Sequence, residues 1–242
     1  MINVMAIVLR AFMFNDSKMM VDVLSREKGR LSCVVSVGTS RGRKGRRQLF
    51  QPLSLLDLVL DDGSVNKLSV IKEVSIHRAY VSIPFHPSKL AMSMFIAEFV
   101  SNITRAGQDT GLLYDYVYNS LMWLDGVAAD FSNFHLVFMI RLTRFVGVYP
   151  NLDEYADGSF FDMNNGCFVR YATNRREFLN AGESKIMYLL MRMNYDNMHV
   201  FKFSHVERNR CLDVILDYYK LHVPGFADMK SLPVLRDLFS VV

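Results

Sequence analysis

The hydrophobic period of the chain changes once, at His86-Pro87, and that change limits what it can fold into. Before it, apolar residues nearly alternate with polar ones in short runs; after it they recur every three to four residues. Period two serves a strand and period 3.6 a helix, so a chain divided in this way is α+β with its strands and helices segregated. Its 242 residues, 51% hydrophobic and 21% charged, can bury a core as one large domain or two smaller ones without metal or disulfide staples.

The alternating segments predict five antiparallel strands, at about Val4 to Phe14, Lys18 to Arg26, Arg30 to Val37, Pro52 to Leu60 and Lys67 to Val74. Asn15-Asp16, Lys28-Gly29 and Asp62-Gly63 supply residues that tolerate the positive φ of tight turns. Leu31, Cys33, Val35 and Val37 share one face of the third strand, opposite Ser32, Val34 and Ser36, which makes Cys33 a buried hydrophobe rather than a nucleophile. Five strands in so short a stretch predict a small closed barrel of the OB type, whose grooves bind single strands along a cationic track. The strands are thus expected to form a small barrel ahead of a mainly helical part.

In the second part Ser88 is expected to cap a helix that is apolar nearly all round. Further helices are expected from about Asp109 to Val127, from Ser132 as cap to Gly147 as stop, and around Ile186, Leu189, Leu190 and Met193. Ser204 and Glu207 have capping-box spacing for a last helix ending near Lys220, before Val223-Pro224-Gly225 and the tail KSLPVLRDLF. Residues 151–171 read as a loop with one small hairpin.

The net charge of +4 conceals an asymmetry: residues 1–87 carry +6 and residues 88–242 carry −2. Arg41, Arg43, Lys44, Arg46 and Arg47 crowd into GTSRGRKGRR, with no acidic residue from Lys28 to Gln51. Three readings stand for such a run: a solvated loop, a nuclear localisation signal, or the electrostatic footprint of a phosphate backbone. Arg10 and Arg141 interrupt the longest apolar stretches, so no membrane span is expected. The N-terminus places its charge after the apolar run, the reverse of a secretory leader, and three scattered cysteines without a CxxC pair fit a reducing cytosol.

Catalytic patterns are missing from the sequence. Gly42 is followed by Arg43 where a P-loop needs Lys-Ser/Thr, no HExxH occurs, and the six histidines are isolated. Asp61-Asp62 and Asp153-Glu154 fall in predicted turns, where Asp serves its own backbone. A non-enzymatic role without cofactor or metal is expected. The other classes are a basic adaptor or scaffold that binds protein, and a nucleic-acid enzyme with a non-contiguous acidic metal site.

Several ordered phrases, namely AIVLR, LSREKGRLSCVV, LFQPLSLLDLVL, FMIRLTRFVGVYPNLD and YYKLHVPGFADMKSLPVLRDLF, together resemble the bacterial recombination-mediator family RecO over nearly the whole chain. The resemblance implies a cytoplasmic, nucleoid-associated protein with an N-terminal OB-fold nucleic-acid-binding domain over residues 1–80, a mainly helical domain over residues 81–242 and no ordinary catalytic site. It implies binding of single- and double-stranded DNA, annealing of complementary strands, and contact with the acidic, Phe-ending C-terminal tail of the single-stranded DNA-binding protein. With RecR, such a protein helps load RecA, an indirect partner, onto coated single strands. Phosphate contacts then fall to Arg41, Arg43, Lys44, Arg46 and Arg47, with Arg10, Lys18, Arg26, Lys28 and Arg30 on neighbouring strands and turns. Phe12, Phe14 and Phe50 are either base stackers or core. For the acidic tail, Arg141 and Arg144 beside Phe138 and Phe145 offer a cationic rim and apolar pocket, or simply a helix face and an internal ion pair. Many RecO proteins carry a four-cysteine zinc module after the phrase that reads GVYPNLD in this chain. Only Cys167 lies between residues 151 and 171, so zinc is predicted absent, with Phe160, Phe161 and Phe168 packing in its place.

Overall fold

The computed structural model describes residues 1–38, 46–61, 68–105, 110–171 and 177–237. Its first five strands are β1 (Ile2–Asn15), β2 (Lys18–Ser25), β3 (Gly29–Ser36), β4 (Leu55–Asp61) and β5 (Ser69–Arg78). They close into a barrel in the order β1-β2-β3-β5-β4, the OB-fold expected from the sequence. β1 makes closure possible because its 14 residues reach two partners: Ile2 to Ile7 pair with β4, and Ala6 to Asn15 pair with β2. A bulge between Val8 and Arg10 lets the strand bend from one partner to the other. The one parallel contact, β3 with β5, is only two residue pairs long, Cys33 with Ser69 and Val34 with Val70.

Alternation decides the interior. Val4, Ala6, Val8, Met19, Val21, Val23, Cys33, Val35, Leu56, Leu58, Leu60 and Ile71 fill the barrel, and Phe50 joins them from the chain just after the short helix α1 (Arg46–Leu49). Phe50 is therefore core, whereas Phe12 and Phe14 are exposed. Burial pushes the Cys33 thiol up to about 12, with Asp22 adding to the shift, so this cysteine is inert at neutral pH.

Two helices complete the first compact unit, α2 (Pro87–Ile103) and α3 (Gly111–Gly126). α2 starts on Pro87 with His86 as its N-cap, so Ser88 is not the cap: the fixed φ of proline begins the helix and Ser88 lies in its first turn. α2 packs on β1 and α3 on β2, and the outer-wall residues Ile7, Leu9 and Leu24 are buried. Polar contacts fasten the helices. Arg30 donates to the Ser101 and Thr104 carbonyls at the end of α2, at 2.6 and 2.9 Å. Asp125, at the end of α3, accepts the consecutive backbone N–H groups of Val81, Ser82 and Ile83. Met229–Leu235 returns to this unit, where Glu98 accepts the N–H groups of Lys230 and Ser231, both at 2.8 Å. The compact units thus follow a different line from the change of period at His86-Pro87: α2 and α3 cluster with the barrel.

The second unit, the described residues of Val127–Asp228 with Arg236 and Asp237, is built on α4 (Phe134–Leu142), α5 (Ala181–Arg192) and α6 (His205–His222). α4 ends at Leu142, a turn before Gly147, which adopts φ +76°. α6 begins on the expected capping box of Ser204 and Glu207 and runs to His222. The expected hairpin is present as β6 (Phe160–Asp162) and β7 (Cys167–Val169), and β8 (Phe178–Leu179) adds a third strand in the order β7-β6-β8. A short helix, α7 (Leu232–Asp237), forms in the C-terminal tail. Phe161 and Phe168 are buried with ring centroids 4.9 Å apart; Tyr155 meets Phe168 edge-on at 5.1 Å and stacks on Tyr188 at 3.8 Å.

His135 is wholly enclosed in α4, and burial, reinforced by the positive charge of Arg208, lowers its pKa to about 3. The unfolded chain binds this proton near pH 6.5 and the folded chain does not, so stability falls as pH drops from about 6.5 towards 3, by up to about 1.4 kcal/mol per unit. Chemical denaturation at pH 6.5 and 5, a window above most carboxylate titrations, should show a smaller loss for His135→Gln than for the unsubstituted protein.

Candidate nucleic-acid interface

The outer surface of β1, β2 and β3 carries residues from alternate positions. Register places Phe12 opposite Met20 and Met20 opposite Val34, while Arg10 faces Asp22 and Asp22 faces Ser32. Arg10 lies beyond the bulge with its side chain 61% exposed, donating from Nε and Nη2 to Asp22 Oδ2 at 3.1 and 2.8 Å. Its guanidinium sits 5.2 Å from the Phe12 ring centroid. Phe12 is 45% and Phe14 67% exposed. Asp22, only 4% exposed, also accepts Ser32 Oγ at 2.7 Å and lies 3.6 Å from Arg30. This carboxylate is matched by two cations, so it contributes little net negative charge to the face.

The structure distributes the expected phosphate-binding residues unevenly. Arg41, Arg43 and Lys44 lie outside the described residues. Arg47, Lys18 and Lys28 are exposed and make no ion pair among the described residues, as a phosphate contact requires. Arg46 is half-buried and donates to the Lys72 carbonyl at 3.3 Å. Arg26 pairs with Asp115 through Nε and Nη2 at 2.8 and 3.2 Å, and Arg30 is engaged at the end of α2. These two arginines fasten helices to the barrel. Sequence reasoning left Phe12 and Phe14 open and passed over Asp22; an acidic residue inside the apolar run MMVDVL is the signal that could have found it.

The four residues expected to hold an acidic tail do not form one pocket. Phe138 is fully buried and stacked on Phe134 at 6.2 Å, because α4 is enclosed on all sides. Arg141 donates to the Met193 carbonyl through Nε and Nη2, closing the C-terminus of α5. Arg144 and Phe145 do reach the surface; Arg144 lies 4.3 Å over the Tyr149 ring and donates to its hydroxyl at 2.8 Å. Of the four, only Arg144 and Phe145 share the surface, beside Tyr149.

The zinc module does not fit these residues. Cys167 stands alone, and burial, with the carboxylates of Asp162 and Glu154, raises its pKa and disfavours the thiolate a metal needs. Among the described residues no three His, Cys, Asp or Glu are grouped to hold a metal ion. The Phe161, Phe168, Tyr155 and Tyr188 cluster occupies the segment instead. Accordingly Phe168→Ala should cost about 3–5 kcal/mol, whereas a chelator should leave the thermal unfolding midpoint unchanged; calorimetry reads both.

A closed barrel of OB topology, carrying cations and exposed rings on one face and followed by helices, places the chain among OB-fold proteins, a class that includes many nucleic-acid binders. The family comparisons make the assignment narrower. Residues 1–80 match the model of the recombination protein O N-terminal domain, and residues 85–233 that of its C-terminal domain. The chain is 44% identical over 234 residues to the DNA repair protein RecO of Phocaeicola vulgatus, covering 97% of each chain. It is 40% identical to that of Bacteroides fragilis, with 96% of this chain and 97% of the relative covered, and 33% identical to that of Porphyromonas gingivalis, with 97% of each covered. The chain belongs to the RecO family.

Proposed function

We propose that the protein is a recombination mediator that binds single- and double-stranded DNA with little sequence preference and anneals complementary strands. Membership of the RecO family supports a role in DNA repair and recombination. The observation that carries the DNA-binding part is the outer face of β1, β2 and β3, where exposed cations accompany a carboxylate already neutralised by its neighbours. Arginine and lysine there read phosphate charge and carry no base code. Neutralising two strands on such a surface lowers their mutual repulsion while leaving base edges free to pair.

The partners we infer are RecR, the acidic C-terminal tail of the single-stranded DNA-binding protein, and RecA as the protein finally loaded. Arg144, Phe145 and Tyr149 offer the tail a cation beside aromatic surface. No helix among the described residues is long and apolar enough to cross a membrane. We place the protein in the bacterial cytoplasm with the chromosome, and assign it no catalytic step.

The test is fluorescence anisotropy of a labelled single strand from 50 to 200 mM salt, with a variant carrying Arg41, Arg43, Lys44, Arg46 and Arg47→Ala. With Arg46 held by the Lys72 carbonyl, four phosphate contacts at about −0.7 each give a log–log slope of roughly −2.8, a loss of about fiftyfold across that range. The variant should bind weakly with a flatter slope. Unchanged tight binding would move the interface elsewhere, and absence of binding by the unsubstituted protein would favour a protein-binding adaptor.

A further inference from the structure

We propose that Phe12 and Phe14 form a stacking subsite for the unpaired bases of single-stranded nucleic acid, and that Asp22 is the positioning residue that locks Arg10 into it. The proposal rests on the barrel face being the nucleic-acid interface, and gives that face a preference for single strands that phosphate contacts alone do not supply.

Phe12 and Phe14 are large rings left largely in water two residues apart on β1. Phe14 stands at a second register irregularity, between Met13 and Asn15, just before the hairpin to β2. Half-buried Met20 and Val34 continue the rung from Phe12 across β2 and β3, so the rings border apolar surface. Lys18, at the far end of the same hairpin, is exposed. Planar apolar surface beside cations suits a base attached to its phosphate. A duplex hides the faces of its bases, whereas a single strand presents them.

Arg10 is not an ordinary mobile cation. Two of its nitrogens converge on Oδ2 of Asp22, whose other oxygen is taken by Ser32, and Asp22 is itself buried. The guanidinium is thereby held beside the Phe12 ring while remaining open to solvent. Pre-ordering removes part of the entropy otherwise lost when a flexible arginine closes on a ligand. Asp22 therefore favours binding of a polyanion despite its own negative charge.

The experiment uses the full chain with Phe12→Ala and Phe14→Ala combined, titrated into a labelled oligothymidylate and into a duplex of equal length. Single-strand affinity should fall roughly tenfold for each stacked ring, with the salt slope and duplex affinity unchanged. Unchanged single-strand affinity, or an equal loss for both ligands, overturns the subsite. Failure of the underlying interface reads differently, as indifference of both ligands to substitution of the face's own exposed cations, Arg10→Ala with Lys18→Ala. Phe14→Trp adds a spectroscopic readout: its emission, above the background of Trp123, should be quenched by the single strand and not by the duplex, and equal behaviour with both excludes stacking at Phe14. For Asp22→Asn, removal of a negative charge alone would tighten binding. Locking of Arg10 instead predicts a several-fold weaker single-strand complex, and tighter binding would overturn the positioning role. Should Asp22→Asn lower the unfolding midpoint, Ser32→Ala, which frees Oδ1 without altering charge, is judged by whether single-strand affinity falls.

Discussion

Closure of the barrel by β1 is the constraint on which the rest of the first unit depends. A single 14-residue strand pairs with β4 at its start and β2 at its end, and a bulge at the crossover allows the change of direction. The bulge has two consequences. Upstream of it, Val4, Ala6 and Val8 point inward; just beyond it, Arg10 points outward opposite Asp22. The device that closes the core therefore also turns Arg10 and the residues after it onto the outer face. The parallel β3–β5 contact, only two pairs long, is the weak seam, and Arg46 bonds to β5 near it while Phe50 fills the interior. Part of the basic segment thus fastens the barrel rather than facing a ligand.

That division runs through the described residues among the expected phosphate-binding cations. Arg26, Arg30 and Arg46 have intramolecular partners of good geometry, whereas Lys18, Lys28 and Arg47 have exposed charges, and Arg10 stands between the two groups. A salt bridge such as Arg26–Asp115, half in water, adds little stability; its value is in the orientation of α3 against β2. Arg30 matters more, since it satisfies carbonyls at a helix end that would otherwise lack donors. Charge density in a sequence measures the supply of cations, and the fold decides how many remain for a ligand.

The barrel was legible because alternation is a local signal: Leu31, Cys33, Val35 and Val37 betray their common face without knowledge of any partner strand. The capping box of α6 was legible for the same reason, as Ser204 and Glu207, three residues apart, each bond to the other's backbone N–H. What failed depended on long-range packing. Phe138 and Arg141 look like a pocket on a helical wheel, yet α4 is enclosed on every side and Arg141 is needed at the end of α5. Ser88 was displaced as a cap by the proline before it. Nothing in the local pattern separates Phe12, exposed, from Phe50, buried, because that difference is made by closure of the barrel.

The second unit shows how a loop can be held without a metal. A zinc site cross-links a segment by four strong directional bonds and needs four deprotonatable ligands at fixed spacing. The 151–171 segment of this chain spreads the same task over weaker contacts. Phe161 and Phe168 supply buried area, Tyr155 bridges Phe168 to Tyr188 on α5, and Asp162 caps the β6–β7 turn through the N–H groups of Asn164 and Asn165. Tyr218 of α6 donates to the Val148 carbonyl, anchoring the entry to the segment. Gly166, at φ +62°, closes the turn where a Cβ would collide with the Tyr218 hydroxyl. Such a hairpin is stabilised by packing against α5 and α6, so its order is tied to that of its own unit rather than to metal supply.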